Sequence, residues 1–231
     1  MPDDIRGEQP FELVVRSGAW FREIPAALQT QLLCTAQVRR IAGGDFLLRQ
    51  GDAVDGLYCV VAGCLRVTTA AADGRQAMLA IAEPPQWFGE IALFDGAPVA
   101  HDVWASAPTT LLQVPRARLL GLLEATPAHW HALGLLLTHK LRAAFATIEE
   151  NTLLTPQQRL ARRLIALADG WGQSPGRTRR EIRVPQEQLG QMLGLTRQTV
   201  NQLLRQLAAE GAVRLARGVI EIVDMEALRR L

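Results

Sequence analysis

The chain has 231 residues, 48% of them hydrophobic, enough apolar material for two cores and therefore for two domains. No stretch runs to about 20 apolar residues without a charge, and the opening MPDDIRGEQP lacks the basic and apolar regions of a secretory signal, so a soluble, cytoplasmic chain with no membrane contact is expected. The net charge of +2 conceals an asymmetry: residues 1–152 hold 12 Lys+Arg against 16 Asp+Glu, whereas residues 153–231 hold 13 Arg against 7 Asp+Glu, so the positive field that attracts a polyanion such as nucleic acid belongs to the C-terminal part alone.

The three cysteines, Cys34, Cys59 and Cys64, form no CxxC pair and no even-numbered framework, which reads as reduced, small buried hydrophobes rather than disulfides or a zinc site. From about Val38 to Val114, short apolar runs alternate with glycine turns such as Gly43-Gly44, Gly51-Asp52, Asp73-Gly74 and Asp95-Gly96. That rhythm predicts antiparallel β-structure. Leu65-Arg66-Val67-Thr68 alternates like a strand wet on one face, and Leu57-Tyr58-Cys59-Val60-Val61 is apolar on both faces, as a strand inside a sandwich or roll would be.

After Pro115 the pattern turns helical. A short helix is expected over Arg116 to Glu124, then Thr126-Pro127 as cap and first turn of a long helix reaching about Thr152. Leu133, Leu137, Leu141, Ala144 and Ile148 recur on it at steps of three and four. Such a seam suits either pairing with a second copy or covering the β-module. Thr155-Pro156 resembles an N-cap with proline at N1 and opens a helix to Ala168; Gly170 to Arg180 reads as a loop and Glu181 to Val184 as a strand.

Pro185 to Leu193 and a run from Thr196 to about Glu210 are two helices around a Gly194-Leu195 turn, the pattern of a helix-turn-helix. In the second, Val200, Leu203, Leu204 and Leu207 share one face, which leaves Gln198, Asn201, Gln202 and Arg205 on the other, with Arg197 at the start and no acid among them. Arginine can bind guanine O6 and N7, and glutamine or asparagine adenine N6 and N7, so this face can read bases, while Thr196, Thr199 and the first backbone N–H groups can hold phosphate. Two β-type runs joined across Ala216-Arg217-Gly218 form a wing from whose tip Arg214 and Arg217 can touch the DNA backbone.

Two stretches, Gly89-Glu90-Ile91-Ala92-Leu93-Phe94-Asp95-Gly96-Ala97-Pro98 and Gln188 to Val200, resemble the phosphate-binding cassette and the helix-turn-helix of the Crp/Fnr family of bacterial transcription regulators. The resemblance spans about Trp20 to Ile222. It implies an α+β chain: a β-roll (double-stranded β-helix) sensor over 1–126, a dimerisation helix over 127–152 and a winged helix-turn-helix over 153–231. It further implies a homodimer on near-palindromic double-stranded DNA, with RNA polymerase as a further partner and Leu137, Leu141, Ala144 and Ile148 as the switching element.

The effector pocket that the resemblance implies is formed by Gly89, Glu90, Ile91, Ala92, Val99 and Ala100, of which Glu90 can meet a ribose hydroxyl or fix the cassette helix. Where cyclic-AMP-binding members carry an arginine and a small hydroxyl residue, this chain has Val99 and Ala100, followed by His101 and Asp102, so recognition of cyclic AMP in the usual mode is not expected. The cysteine spacing does not match the iron-sulfur type of the family, and His101, which in isolation could bind a haem iron, reads rather as a surface or structural histidine. A cyclic dinucleotide, another small molecule or no effector all remain compatible. In the recognition helix the family's frequent arginine, glutamate and arginine meet Arg197, Gln198 and Gln202, which predicts an altered half-site. No metal site and no catalytic residue is expected: GxSxG, the Walker loop and HExxH are absent, and His101, His129, His131 and His139 lack a nucleophile or carboxylate partner. The competing reading is a cyclic-nucleotide-type module that controls a protein partner, which would not need a basic winged helix.

Overall fold

The computed structural model describes residues 9–70, 76–170 and 179–231. It divides into two compact units, the first built from residues up to Thr69 with Leu79–Arg142, the second mainly from Ala143–Leu231.

The first unit opens with helices α1 (Gln9–Ser17), α2 (Ala19–Glu23) and α3 (Ala26–Thr35) and continues into eight strands. Strands β1 (Gln37–Ile41), β8 (Thr109–Pro115), β3 (Gly56–Ala62) and β6 (Trp87–Phe88) form one sheet in the order β1-β8-β3-β6. Strands β2 (Phe46–Leu48), β7 (Asp102–Ala105), β4 (Leu65–Ala70) and β5 (Gln76–Ala82) form the other, in the order β2-β7-β4-β5. The paired strands run antiparallel. The expected β-roll is therefore observed.

Strand β3 explains why its sequence is apolar throughout. Tyr58 and Val60 pack into the cluster between the sheets with Leu47, Leu65, Val103 and Leu111, whereas Leu57, Cys59 and Val61 face a second cluster built by the helices. Side chains alternate across a strand, so both faces must be greasy when both are covered. In the helical cluster Trp87 meets Trp20 edge-on at 5.4 Å and stacks on Phe21 at 5.8 Å. Gly63, between β3 and β4, has φ 85°, and a Cβ there would lie 2.5 Å from the Pro108 carbonyl oxygen. Only glycine makes that turn.

Two expectations fail here for physical reasons. Arg66 does not point to water: it is 6% exposed, its guanidinium pKa is lowered by desolvation, and the nearby Cys64 and Glu83 oppose that shift. Arg66 stands on β4 directly opposite Trp104 of β7, in a strand flanked on both edges, and the position is covered. Of the three cysteines Cys59 is buried, which raises its thiol pKa well above the usual value; Cys64 is partly covered and Cys34 is exposed on α3.

Helix α5 (Arg116–Ala125) leads to α6 (His129–Leu153), which begins two residues after Pro127. Trp20 Nε1 donates to the Ala132 carbonyl at 2.7 Å, and Ala132, Leu133 and Leu136 complete the helical cluster. Leu133 therefore leaves the expected seam: it is fully buried inside its own unit.

In the second unit α7 (Pro156–Ala168) starts from the expected Thr155 cap, with Thr155 and Gln158 forming a reciprocal capping box. Most of the expected Gly170 to Arg180 loop lies outside the described residues, and the following strand, β9, is confined to Glu181–Ile182. α8 (Gln186–Leu193) and α9 (Arg197–Ala209) follow, then β10 (Val213–Ala216), β11 (Val219–Ile222) and α10 (Met225–Arg229). The sheet order is β10-β11-β9. Among the described residues no helix is long and apolar enough to cross a membrane.

Candidate nucleic-acid interface and effector pocket

The α8-turn-α9 unit is set by glycine. Gly194 caps α8 at φ 65°, the Leu195 N–H donates to the Gly190 carbonyl at 2.9 Å, and a Cβ on Gly190 would sit 2.6 Å from the Leu195 carbonyl oxygen. A side chain at 190 would push the turn away. Thr196 then caps α9, its Oγ1 accepting from the Thr199 N–H at 3.1 Å and lying 2.8 Å from the Thr199 hydroxyl. The two hydroxyls therefore hold the helix start at the N-terminus where an anion would bind.

Val200, Leu204 and Leu207 are fully buried and Leu203 is half-buried, while Arg197, Gln198, Gln202 and Arg205 are exposed. Among the described residues none of these four outward side chains forms an ion pair. Asn201 departs from the expectation of a fully outward set: it is half-buried and its Nδ2 donates to Gln186 Oε1 at 2.9 Å. Arg159, from α7, donates to the Leu193 carbonyl at 3.2 Å and so secures the C-terminal end of α8.

The wing is a tight hairpin. Ala216 pairs with Val219, which leaves Arg217 and Gly218, at φ 75°, as the two-residue turn. Arg217 stands at the tip, but Arg214 does not: it lies mid-strand opposite Glu221, with Nη1 2.8 Å from Glu221 Oε2. A cleft of ≈ 560 Å³ runs between the wing and the flank of α9, lined by Arg197, Asn201, Arg217 and Gly218 with Gln186 and Glu187 of α8.

On α6 the remaining seam positions are open. Leu137 is half-buried, Ala144 is exposed, and Leu141 and Ile148 are 54% and 59% exposed. Phe145, absent from the expected set, is 62% exposed, four residues after Leu141 and three before Ile148. Its spacing was readable in the sequence, because i, i+4 and i+7 share a helix face.

In the cassette, Gly89 at φ 101° passes so close to β3 that a Cβ would lie 2.6 Å from the Gly56 carbonyl oxygen. Glu90 is completely buried at the start of α4 (Ile91–Asp95), and its Oε2 is 2.6 Å from Nζ of Lys140 on α6. Its Oε1 is buried and finds no hydrogen-bond partner among the described residues. No sequence signal foretold Lys140, which lies 50 residues further along the chain. Ile91 is exposed and Ala92 buried. Val99 is half-buried against the cluster between the sheets, exchanging backbone hydrogen bonds with Asp52 and Gly51, and Ala100 is exposed. The Asp102 carboxylate accepts from the Gln50 N–H at 2.9 Å. Neither Val99 nor Ala100 can offer a charge to a phosphate. Among the described residues no group of three or more His, Cys, Asp or Glu is placed to hold a metal.

Comparison with known proteins joins the two ends. Residues 38–126 match the cyclic nucleotide-binding domain and residues 158–231 match the Crp-like helix-turn-helix domain. The chain belongs to the Crp/Fnr family. It is 27% identical over 222 residues to the CRP-like cAMP-activated global transcriptional regulator of Mycobacterium tuberculosis, covering 95% of this chain and 98% of that one. With the cyclic AMP receptor protein of Thermus thermophilus it shares 29% identity over 196 residues, covering 84% and 88%. Its fold matches FixK2 of Bradyrhizobium japonicum with a TM-score of 0.74 at 22% identity, over 85% of this chain and 96% of that one. The protein is a transcription regulator of the Crp/Fnr type, and its relatives are transcription regulators rather than enzymes.

Proposed function

We propose that this Crp/Fnr regulator works in the cytoplasm as a homodimer, with one α9 in each of two successive major grooves of a near-palindromic operator, about 34 Å apart. Arg197, Gln198, Gln202 and Arg205 face bases or their flanking phosphates, Asn201 borders the same groove, and Thr196, Thr199, Arg217 and, more weakly because of its tie to Glu221, Arg214 face the backbone. One observation carries this reading: α9 turns Val200, Leu204 and Leu207 inward and leaves an outer face of amides and guanidiniums that carries no acid of its own. The functional division is a β-roll sensor to residue 126, a dimer helix to residue 152 and a winged helix beyond. The dimer forms through Leu137, Leu141, Ala144, Phe145 and Ile148, since large side chains more than half exposed at i, i+4 and i+7 are otherwise costly to leave wet. RNA polymerase is the partner through which the bound dimer acts, and no catalytic step is assigned to it.

Retention on DNA as a function of salt tests the reading. The affinity should fall steeply with log salt as phosphates are neutralised, and a flat response would favour a protein partner.

The regulators of Mycobacterium tuberculosis and Thermus thermophilus to which the chain is similar are, respectively, cAMP-activated and named for cyclic AMP. Here the cassette carries Val99 and Ala100, with Gly89, Glu90, Ile91 and Ala92 as its remaining wall, so the effector is a small molecule that does not depend on a clamped phosphate, or a cyclic dinucleotide held differently. Calorimetry should show no micromolar binding of cyclic AMP; such binding, with a phosphate at Val99, would overturn this.

A further inference from the structure

We infer that Gln186 is a positioning residue for base recognition: it holds the Asn201 carboxamide with its amino group toward α8, so that position 201 selects an adenine in each half-site. The inference rests on the groove reading of α9 and adds to it a residue outside that helix.

The two ends of an asparagine carboxamide have nearly the same shape but opposite roles, one offering two N–H donors and the other a carbonyl acceptor. Unheld, the group turns about its last torsion and presents either end to a base. Gln186 Oε1 accepts from Asn201 Nδ2 at 2.9 Å, and the reversed pair, with Gln186 Nε2 donating to Asn201 Oδ1, is disfavoured once a phosphate oxygen takes the Gln186 amide hydrogens. One N–H is thereby engaged, and one N–H and the Oδ1 carbonyl are left for a ligand.

Those two groups match one base edge best. Adenine presents an acceptor, N7, beside a donor, N6, in the major groove. Guanine presents two acceptors and would set O6 or N7 against the Asn201 carbonyl; cytosine engages only the carbonyl, and thymine offers one acceptor and a methyl group.

The location is right for this. Asn201 follows Arg197 by one helical turn, and both line the ≈ 560 Å³ cleft that ends at Arg217 on the wing. A turn of about 5.4 Å spans fewer than two base steps, so the adenine should lie one or two base pairs from the guanine assigned to Arg197. Gln186 keeps its own amide hydrogens for a phosphate oxygen, which would add the weight of the DNA backbone to the lock.

Selection from random DNA with the full-length protein at low salt, read position by position, tests the role. The parent should enrich adenine about tenfold or more at one position of each half-site. Gln186→Ala should flatten that preference to about twofold or less, keep the guanine preference at the Arg197 position and leave the thermal midpoint unchanged. Gln186→Glu, whose carboxylate still accepts from Asn201, should restore the adenine preference while lowering affinity for all sequences alike. An unchanged profile in Gln186→Ala, or one flattened equally at every position, overturns the positioning role while the groove reading survives. A parent protein that selects no sequence at all overturns both.

Discussion

The cassette and the recognition helix handle polar side chains in opposite ways. In the cassette every charged group near the expected pocket is engaged from within: Glu90 lies buried against Lys140, and Asp102 accepts from the Gln50 backbone. On α9 the outer amides and guanidiniums are less committed: Arg197, Gln198, Gln202 and Arg205 stand exposed, whereas Asn201, at the flank, is tied to Gln186. A buried, answered charge mainly holds a fold, because removing one partner strands the other, whereas an exposed one costs little to keep and is available for a ligand. The DNA end is thus ready-made, whereas in the cassette Glu90 and Asp102 are engaged internally, and Glu90 Oε1 and His101 Nδ1 lie buried without a hydrogen bond among the described residues.

That contrast predicts which substitutions damage binding and which damage stability. The largest effect is expected outside both regions, at the exposed stripe of α6. Leu141→Asp with Phe145→Asp should leave the protomer folded but split the dimer, and a half-site held alone should bind about 10²–10⁴-fold more weakly than a paired one. Sedimentation equilibrium and operator titration check both parts. A double variant that stays dimeric would remove α6 from the interface.

Next in size is the cassette pair. Lys140→Ala leaves the fully buried Glu90 carboxylate without its ammonium, at a cost of about 3 kcal/mol in denaturant unfolding. If stability is unchanged, the ion pair is not structural and the contrast drawn above loses one side.

Arg197→Ala tests the other side. Exposed and without an ion pair among the described residues, it should leave the unfolding midpoint unchanged while weakening the preferred operator by about 1–3 kcal/mol, with relaxed preference at one base pair only. A loss spread evenly over all sequences would make it a phosphate contact instead.

Much of the second unit was legible because its signals are local. The Thr155 capping box, the Gly194 turn and the 200, 204, 207 face all lie within a few residues of the groups they organise. Periodicity could not say which partner buries an apolar stripe. Leu133 and Leu141 look alike on a helical wheel, yet one fills its own unit's core and the other faces out. Nor can alternation reveal that Arg66 is covered, because its environment is made by flanking strands and by Glu83 rather than by its neighbours in sequence. The Glu90–Lys140 and Asn201–Gln186 contacts join residues 50 and 15 positions apart, and nothing in either segment names the other.

The smallest effect is expected at the wing tip, where it separates two arginines of similar exposure. Arg217 sits in the turn without an ion-pair partner among the described residues, so Arg217→Ala should weaken every sequence about equally and reduce the slope of log affinity against log salt by about one. Arg214 is already held by Glu221, so reaching a phosphate means giving up a 2.8 Å contact, and Arg214→Ala should change the slope by less. Glu221→Gln should then raise the affinity modestly, because it releases Arg214 and removes a negative charge beside the duplex. Equal slopes for the two alanine variants would mean that the cross-strand pair opens on DNA at no cost, and that the wing, like α9, presents all its charge outward.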